Sequence, residues 1–324
     1  MEAQGEGRCP ICGSASFAPT GKTVDIVDVL DRWEQVVKTP FPDAVRQKYS
    51  RERFPILTLN QCRRCGFGAF EPRCEGDSDF YAVVNAHDYY VLDKWEFTQA
   101  IEDLQRIGAQ RILDVGCGSG GFLKRLRGER PSLDLVGYEI ESGALASVRA
   151  EGFAVLSGNP AQFGGDAAPF DALCMFQVLE HVEDPIAFLN GFTPLLKPGG
   201  HLIVSTPDEG GPIRHFWQQL TEVPPHHVTK WTETAYRYLF RAPDYRIREI
   251  RHEPLPDYLW ESYLPELWGE AIWPRQLFDQ AALARGRTEL LDRVRFAIDL
   301  MKAAGISHLT DVPGHTIYAF VQRP

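Results

Sequence analysis

The sequence predicts an α/β fold, in which a doubly wound, mostly parallel seven-stranded sheet follows a small cysteine-containing N-terminal module. Three observations support this prediction. Short apolar runs alternate with amphipathic segments over residues 111–205, a glycine-dense turn follows the first of these runs, and two Cys-x-x-Cys pairs occur near the N-terminus. Alternating strands and helices favour a parallel sheet, because each crossover helix returns the chain to the same edge.

Composition limits the classes of function. The chain has 324 residues, with 34 basic and 44 acidic side chains and a net charge of −10. This balance argues against a surface that follows nucleic-acid phosphates. No apolar run is long enough to span a bilayer, and the N-terminus lacks the character of a signal peptide. We therefore expect a cytoplasmic protein that does not bind membranes or nucleic acid.

The N-terminal module, residues 1–80, is defined by its cysteines. Cys9-x-x-Cys12 and Cys62-x-x-Cys65 are each followed by glycine, as in knuckles that direct two thiolates at one ion. Two knuckles supply the four sulfurs of a structural, tetrahedral Zn²⁺ site. Two disulfides or unrelated core thiols are the alternatives. We expect Cys74 to be a surface thiol.

Between the knuckles, apolar residues at helical spacing predict a helix over Asp25–Val37. A strand over Phe54–Leu59 is expected to lead into the second knuckle. A helix over Leu92–Ile107 should then pack beneath the sheet. The sheet's elements follow, with strands at 111–115, 133–139, 153–157, 170–176 and 201–205, a strand from about 245 to 253, a closing strand at 315–321, and helices near 121–127, 142–150 and 185–195.

The second domain, residues 81–324, contains an aromatic-rich helical insertion at about 254–312. It includes Trp260, Tyr263, Trp268 and Trp273. Core padding, a homodimer surface and a substrate-covering lid are the open interpretations.

The turn that runs from Asp114 through Gly116, Gly118 and Gly120 brings backbone N–H groups close to a ligand. Gly116-x-Gly118-x-x-Gly121 also fits the dinucleotide fingerprint. Asp114 distinguishes a dinucleotide from a ligand that carries an ammonium group. Its negative charge would repel the pyrophosphate of the first and attract the ammonium of the second.

Further motifs follow in order: Gln177 to Pro185 after an apolar strand, Lys197-Pro-Gly-Gly200 before another, and the closing strand His315–Val321. Together with the glycine turn they resemble the class I S-adenosylmethionine-dependent methyltransferases, over about residues 85–252. The resemblance implies a Rossmann-like fold with S-adenosylmethionine at the carboxyl ends of the strands. The implied cofactor-binding residues are Asp114, Gly116, Cys117, Gly118, Gly121, Glu139, Ile140, Asn159 and Gln177. The cysteine module resembles the zinc-binding domain that precedes some sugar and natural-product methyltransferases.

The segment from Pro224 to Thr232 contains His226 and His227 on a loop expected at the same crevice. The resemblance to sugar methyltransferases implies that His227 is the general base, while His226 orients the acceptor. A structural role, such as capping the helix over 232–240, is the alternative.

A second resemblance concerns Gln177-x-x-Glu180-His181. Small-RNA 2′-O-methyltransferases and some quinone O-methyltransferases have Glu-x-x-Glu-His here, and in the small-RNA enzymes it binds a divalent metal together with a later histidine. Gln177 is a weaker, uncharged ligand. We therefore favour a loop-ordering role for Glu180 and keep a metal-assisted 2′-O-type reaction as an alternative.

These expectations converge on a methyltransferase that acts on a polar small molecule: a sugar, nucleotide-sugar, glycan or natural-product intermediate. The alternative is a zinc-containing scaffold protein with a vestigial methyltransferase fold. The intact Asp114, Glu139 and glycine turn favour the enzyme. The sequence does not reveal whether the acceptor atom is oxygen, nitrogen or carbon.

Overall fold

The computed structural model describes residues 7–84, 94–160, 163, 169–241, 245–272 and 280–324, with side chains described outside 268–290. The N-terminal module combines an antiparallel sheet with three helices. Its elements are β1 (Phe17–Val24), α1 (Ile26–Val37), α2 (Asp43–Lys48), β2 (Leu57–Cys62), β3 (Gly68–Glu71) and α3 (Ser78–Val84).

The helix α1 confirms the prediction from apolar spacing. The side chain of Asp25 caps its N-terminus by accepting a hydrogen bond from the Val27 N–H at 2.9 Å. The buried face of α1 packs in a separate apolar core with α3 and Cys74. Cys74 is buried, so the expected surface position is wrong: its neighbours in sequence are polar, but the fold turns the thiol inward.

β2 starts three residues later than the expected strand at 54. Residues 54–56 stay outside the ladder, and Pro55 has no N–H to donate to it. The strands β1 and β3 were not anticipated from the sequence.

The main sheet has the predicted architecture. Its strand order is β6-β5-β4-β7-β8-β11-β10; the first five strands are parallel, and β11 pairs antiparallel with both β8 and β10. The ranges are β4 (Arg111–Val115), β5 (Asp134–Tyr138), β6 (Ala154–Leu156), β7 (Phe170–Phe176), β8 (Leu196–Pro207), β10 (Arg246–Pro256) and β11 (His308–Gln322). The flanking helices are α4 (Trp95–Arg106), α5 (Gly121–Glu129), α6 (Ser142–Ala150), α7 (Pro185–Phe192) and α8 (Glu233–Leu239). Residues 92 and 93 of the expected Leu92–Ile107 helix lie outside the described residues.

The central strands are buried on both faces, which explains their nearly continuous apolar sequences. One face of the sheet shares a core with the N-terminal cysteines, Phe67 and Trp231. The opposite face packs against α4 and α5. The module and the sheet thus share one continuous apolar interior.

A two-residue strand, β9 (Thr229–Lys230), links the two parts further. It pairs antiparallel with β3, so a segment from the second half of the chain completes the four-stranded sheet of the module. The pairing fixes the residues just before β9, including His226 and His227, against the module.

The insertion folds as α9 (Asp257–Ile272) and α10 (Gln280–Ala303). Trp260, Tyr263 and Leu264 form a small core with Val294 and Ile298. Trp273 and the side chain of Trp268 lie outside what the structure describes. Among the described residues, no helix is long and apolar enough to cross a membrane.

Candidate functional site

A cavity of about 310 Å³ lies where β4, β5 and β7 end. Parallel strands bring their carboxyl ends to one edge, which is where ligands bind in open α/β sheets. Eight of the predicted cofactor-binding residues line it: Asp114, Gly116, Cys117, Gly118, Gly121, Glu139, Ile140 and Gln177. Asn159 follows β6 as an exposed residue and is not part of this lining.

The glycine turn forms the floor of the cavity. Gly116, Gly118 and Gly120 have φ of 71°, 52° and 80°, in the left-handed region that favours glycine. A Cβ on Gly116 would lie 2.6 Å from Cγ2 of Val178. The turn therefore requires glycine for conformation and, at Gly116, for space as well.

Glu139 holds this turn from the end of β5. Its Oε2 accepts the N–H of Gly118 at 2.9 Å, and its Oε1 accepts the N–H groups of Ile140 and Glu141 at 2.7 and 3.0 Å. Burial raises the pKa of Glu139, although these three hydrogen bonds oppose the shift. The carboxylate is thus fixed beside the cavity before any ligand arrives.

Asp114 is a buried acid on the cavity wall. Burial, with the nearby charge of Glu139, raises its pKa well above the usual range, while Lys94 partly opposes the shift. An ionised carboxylate in such a place is stabilised by a cation. A ligand that carries an ammonium group into the cavity would supply one.

Gln177 closes the end of β7 in an unusual conformation. Its φ is 56°, in the left-handed region where non-glycine residues are uncommon. The side-chain amide donates to Oε1 of Glu96 at 3.1 Å and approaches Oγ1 of Thr316 at 3.5 Å. Strained backbone of this kind clusters at ligand sites.

The N-terminal module covers part of the cavity, which the sequence did not reveal. Glu75, Gly76 and Tyr81 belong to the lining. Glu75 and Glu183 each accept the other's backbone N–H, at 2.8 and 3.1 Å, and so connect the module to the loop after β7. The cavity therefore needs both parts of the chain.

The histidine segment sits between the module and the loop after β7. The N–H of Val228 donates to the carbonyl of Glu180 at 2.7 Å, and the N–H of Phe70 donates to the carbonyl of Val228 at 3.0 Å. From the module, Gly76 donates to the carbonyl of Pro225 at 2.7 Å. Main-chain bonds to both sides hold the imidazoles in place.

Three imidazoles meet at this point. His181 lines the cavity, and its Nδ1 lies 2.8 Å from both the Tyr81 hydroxyl and the His226 carbonyl. Ligand atoms of His181, His226 and His227 lie within 4.8 Å of one another, a spacing that could hold a metal ion. His226 stacks on Trp33 with ring centroids 5.9 Å apart and, like His227, is not part of the cavity lining. Burial lowers the pKa of all three imidazoles.

Two carboxylates flank His227. Oε2 of Glu222 lies 3.2 Å from Nδ1, and Oε1 of Glu180 lies 3.9 Å from Nε2. Glu180 is almost completely buried, and burial raises its pKa well above the usual range. Lys230 contacts Glu222 at 2.6 Å. Neither Glu222 nor Lys230 was singled out from the sequence, because neither belongs to a recognisable motif.

The four cysteines of the two knuckles form one buried cluster. The Sγ atoms of Cys9 and Cys65 are 3.6 Å apart, and those of Cys12 and Cys62 are 3.5 Å apart. Tetrahedral Zn²⁺ with Zn–S bonds of about 2.3 Å separates its sulfurs by about 3.8 Å. All four thiols are free, so the disulfide alternative is wrong for this structure. The donor set fits a structural Zn²⁺, which would leave no open coordination position.

The comparisons with known proteins agree with this geometry. A family model described as a methyltransferase domain matches residues 92–250. These residues form a class I S-adenosylmethionine-dependent methyltransferase domain.

Curated relatives of the methyltransferase domain include a ubiquinone biosynthesis O-methyltransferase from Xylella fastidiosa. It is 37% identical over 111 residues, which are 31% of this chain and 43% of the relative. The enzyme of the same name from Marinobacter nauticus is 33% identical over 118 residues, 33% of this chain and 48% of the relative. The chain spans less than half the length of these relatives.

Among solved structures, the plantazolicin methyltransferase BpumL in complex with SAH has 15% sequence identity and a TM-score of 0.43. The match covers 70% of this chain and 82% of that one.

The methyltransferase domain and the cysteine module are joined through Thr232. Its Oγ1 donates to the carbonyl of Cys65 at 2.7 Å and caps α8 by accepting the Ala235 N–H at 3.2 Å. A Cβ on Gly66 would lie 2.8 Å from that side chain. The side chain that caps α8, the structural role considered as the alternative for the histidine segment, is therefore that of Thr232.

Proposed function

We propose that the protein transfers a methyl group from S-adenosylmethionine to a polar small molecule, with His227 as the general base. The observation that carries this proposal is the pair of buried acids at the glycine turn. Burial raises the pKa of Asp114, which the charge of Lys94 offsets only in part, and Glu139 is held rigidly at the end of β5. S-adenosylmethionine offers an ammonium group to the first and ribose hydroxyls to the second.

When bound, S-adenosylmethionine supplies an electrophilic methyl group: the acceptor's electron pair forms the new bond to carbon, and the C–S electron pair returns to sulfur. The protein positions the reactants and removes a proton. Asp114 pairs with the ammonium, Glu139 accepts from the ribose hydroxyls, and Ile140 covers the adenine side. Gln177 contacts the methionine end.

The proton of an acceptor hydroxyl, or of an acidic carbon, passes to Nε2 of His227. Burial keeps this imidazole neutral at neutral pH, as a base requires. His181, which lines the cavity, packs against His227 with ring centroids 4.7 Å apart. His226 stacks on Trp33 and is the residue proposed to orient the acceptor.

Two facts support a polar acceptor. On its proposed acceptor side the cavity lining includes three polar side chains, those of Glu75, Tyr81 and His181. The cysteine module also resembles that of sugar and natural-product methyltransferases. The name of the curated relatives, O-methyltransferase, favours oxygen as the acceptor atom.

The test uses labelled S-adenosylmethionine and a fractionated extract of polar metabolites. Wild-type protein should label a small molecule. His227→Ala should reduce turnover about 10²–10⁴-fold and leave affinity for S-adenosylhomocysteine unchanged. His226→Ala should lower turnover less. A His227→Ala protein with wild-type turnover would remove this residue from the chemistry and favour an amine acceptor.

A second candidate mechanism uses a divalent metal at the imidazoles. The observation that favours it is the closeness of His181, His226 and His227, with the carboxylate of Glu180 beside them. Such a set could bind a cation that polarises an acceptor hydroxyl. Added Mg²⁺, Mn²⁺ or Co²⁺ would then raise turnover, and His181→Ala would abolish the response. If none of the three ions changes turnover, the metal-assisted mechanism is excluded.

The remaining alternative is a scaffold protein with a vestigial methyltransferase fold. It predicts no affinity for S-adenosylhomocysteine. Calorimetry on the purified protein separates it from both enzyme mechanisms, since each of them requires binding.

A further inference from the structure

The segment before the histidines ends in a short helical turn at Leu220–Glu222, five residues ahead of His227. Glu222 is 1% exposed, and His227 and Lys230 are 5% and 3% exposed. Oε2 of Glu222 lies 3.2 Å from Nδ1 of His227 and 2.6 Å from Nζ of Lys230. One carboxylate oxygen thus serves an imidazole and an ammonium away from water.

Glu209 completes the cluster. Its Oε1 lies 3.2 Å from Nζ of Lys230, so this ammonium contacts two carboxylates. The two carboxylates thus surround the ammonium next to the imidazole, and the charge of Lys22 also acts on Glu209. Burying these groups is costly, and apolar side chains of similar volume would serve the fold about as well. The cluster therefore points to a role beyond stability.

We propose that Glu222 is a positioning residue for His227: it accepts the Nδ1–H and leaves the lone pair of Nε2 for the acceptor's proton. This inference rests on the proposed function, in which His227 is the base. A carboxylate that pairs with an ammonium is an acceptor only, so the proton of the neutral ring must sit on Nδ1. Lys230 holds Glu222 in its ionised state.

The opposite face of the ring agrees with this assignment. Oε1 of Glu180 is 3.9 Å from Nε2, beyond hydrogen-bond distance, so this carboxylate does not use the lone pair. His181, which lines the cavity, packs against His227 with the two rings nearly perpendicular. When Nε2 takes the acceptor's proton, the new imidazolium is stabilised by the charge of Glu222.

The experiment reads the tautomer directly in the full-length protein with S-adenosylhomocysteine bound. Nitrogen-labelled histidine distinguishes a protonated from an unprotonated ring nitrogen, and the His227→Gln spectrum assigns the signal. We expect wild-type His227 to carry its proton on Nδ1. Glu222→Met should populate the other tautomer, whereas Glu222→Gln, which keeps a carbonyl acceptor, should restore the wild-type pattern.

Kinetics give the second readout, on the acceptor found by the labelling assay. Glu222→Met should lower kcat about 10- to 100-fold with KM unchanged. Glu222→Gln should recover most of that loss. Asp103→Asn is the matched control, because Asp103 is also a buried carboxylate between cations, Arg106 and Arg251, but its third partner is the Tyr318 hydroxyl and not an imidazole. It should affect stability and leave kcat unchanged.

A wild-type His227 protonated on Nε2, or a Glu222→Met protein with the wild-type tautomer, would overturn the inference. The wild-type tautomer and the Glu222→Gln spectrum remain readable even if Glu222→Met fails to fold. Because the tautomer is measured without an acceptor, this result is independent of whether methyl transfer is found.

Discussion

Replacing Asp114 with asparagine should separate ligand binding from stability. The variant keeps the size of the side chain and removes the charge that a cofactor ammonium would meet. In the ligand-free protein the carboxylate is 3% exposed, and burial raises its pKa well above the usual range. The ionised form is therefore disfavoured by the fold and favoured by a cationic ligand, so the two effects of the substitution have opposite signs.

A charge-assisted hydrogen bond contributes about 1.5–3 kcal/mol. At about 1.4 kcal/mol per factor of ten, Asp114→Asn should weaken S-adenosylhomocysteine binding about 10- to 150-fold. The ligand-free variant should be at least as stable as wild type at pH 7. A carboxyl whose pKa is raised on folding lowers the unfolding free energy as pH rises above the unfolded value of about 3.9, and the asparagine variant lacks this loss.

Calorimetry with two ligands makes the test specific. 5′-Methylthioadenosine retains the ribose of S-adenosylhomocysteine and lacks its amino-acid end. Asp114→Asn should leave its affinity nearly unchanged, whereas Glu139→Ala, which removes the ribose acceptor, should weaken both ligands about 10- to 100-fold. Equal losses for both ligands in Asp114→Asn would refute the pairing with the ammonium. So would unchanged affinity for S-adenosylhomocysteine.

Three further outcomes are expected. Elemental analysis should find one zinc per chain in freshly purified protein, and Cys62→Ser should lose it; zinc-free wild type would contradict the structural site. Gly116→Ala should weaken S-adenosylhomocysteine binding at least tenfold by calorimetry, because its φ of 71° costs a β-carbon about 1–2 kcal/mol and Val178 occupies the space. The hydrogen bond to Asp208 raises the pKa of His252 to about 9. The stability that His252 contributes is therefore complete below about pH 6.5 and is lost towards pH 9. Denaturation of wild type and His252→Gln should converge there, and a constant difference would contradict this.

The glycine-turn end of the cavity, where we propose that the cofactor binds, was readable from the sequence because its determinants are local. The order of apolar runs fixes which residues end parallel strands, and parallel strands bring Asp114, Glu139 and Gln177 to one edge. The glycines indicate a turn whose backbone conformation and close contacts do not tolerate side chains. Asn159 also follows a strand of this sheet, the three-residue edge strand β6. It is exposed there and does not line the cavity.

The cysteine cluster was readable for a similar reason, since the spacing within each knuckle is local. That the two pairs bind one ion was predicted from the number of donors, because together they supply the four sulfurs of a tetrahedral site. The structure brings all four sulfurs together.

The sequence indicated His226, His227 and Glu180 on the proposed acceptor side, but tertiary structure decided how they are arranged. Tyr81 meets His181, Glu75 meets Glu183, and β9 joins β3, each across a hundred or more positions of the chain. Such pairings leave no periodicity, because contacts between distant segments depend on how whole elements pack. Glu222 is near His227 in sequence, but a single glutamate in a predicted loop cannot be distinguished from a solvated acid. Only the structure shows that Glu222 is buried, where a charge is costly unless it is paired. The sequence thus determined the local features: the glycine turn, the strand ends and the cysteine pairs. The packing of the fold determined which side chains face one another away from water.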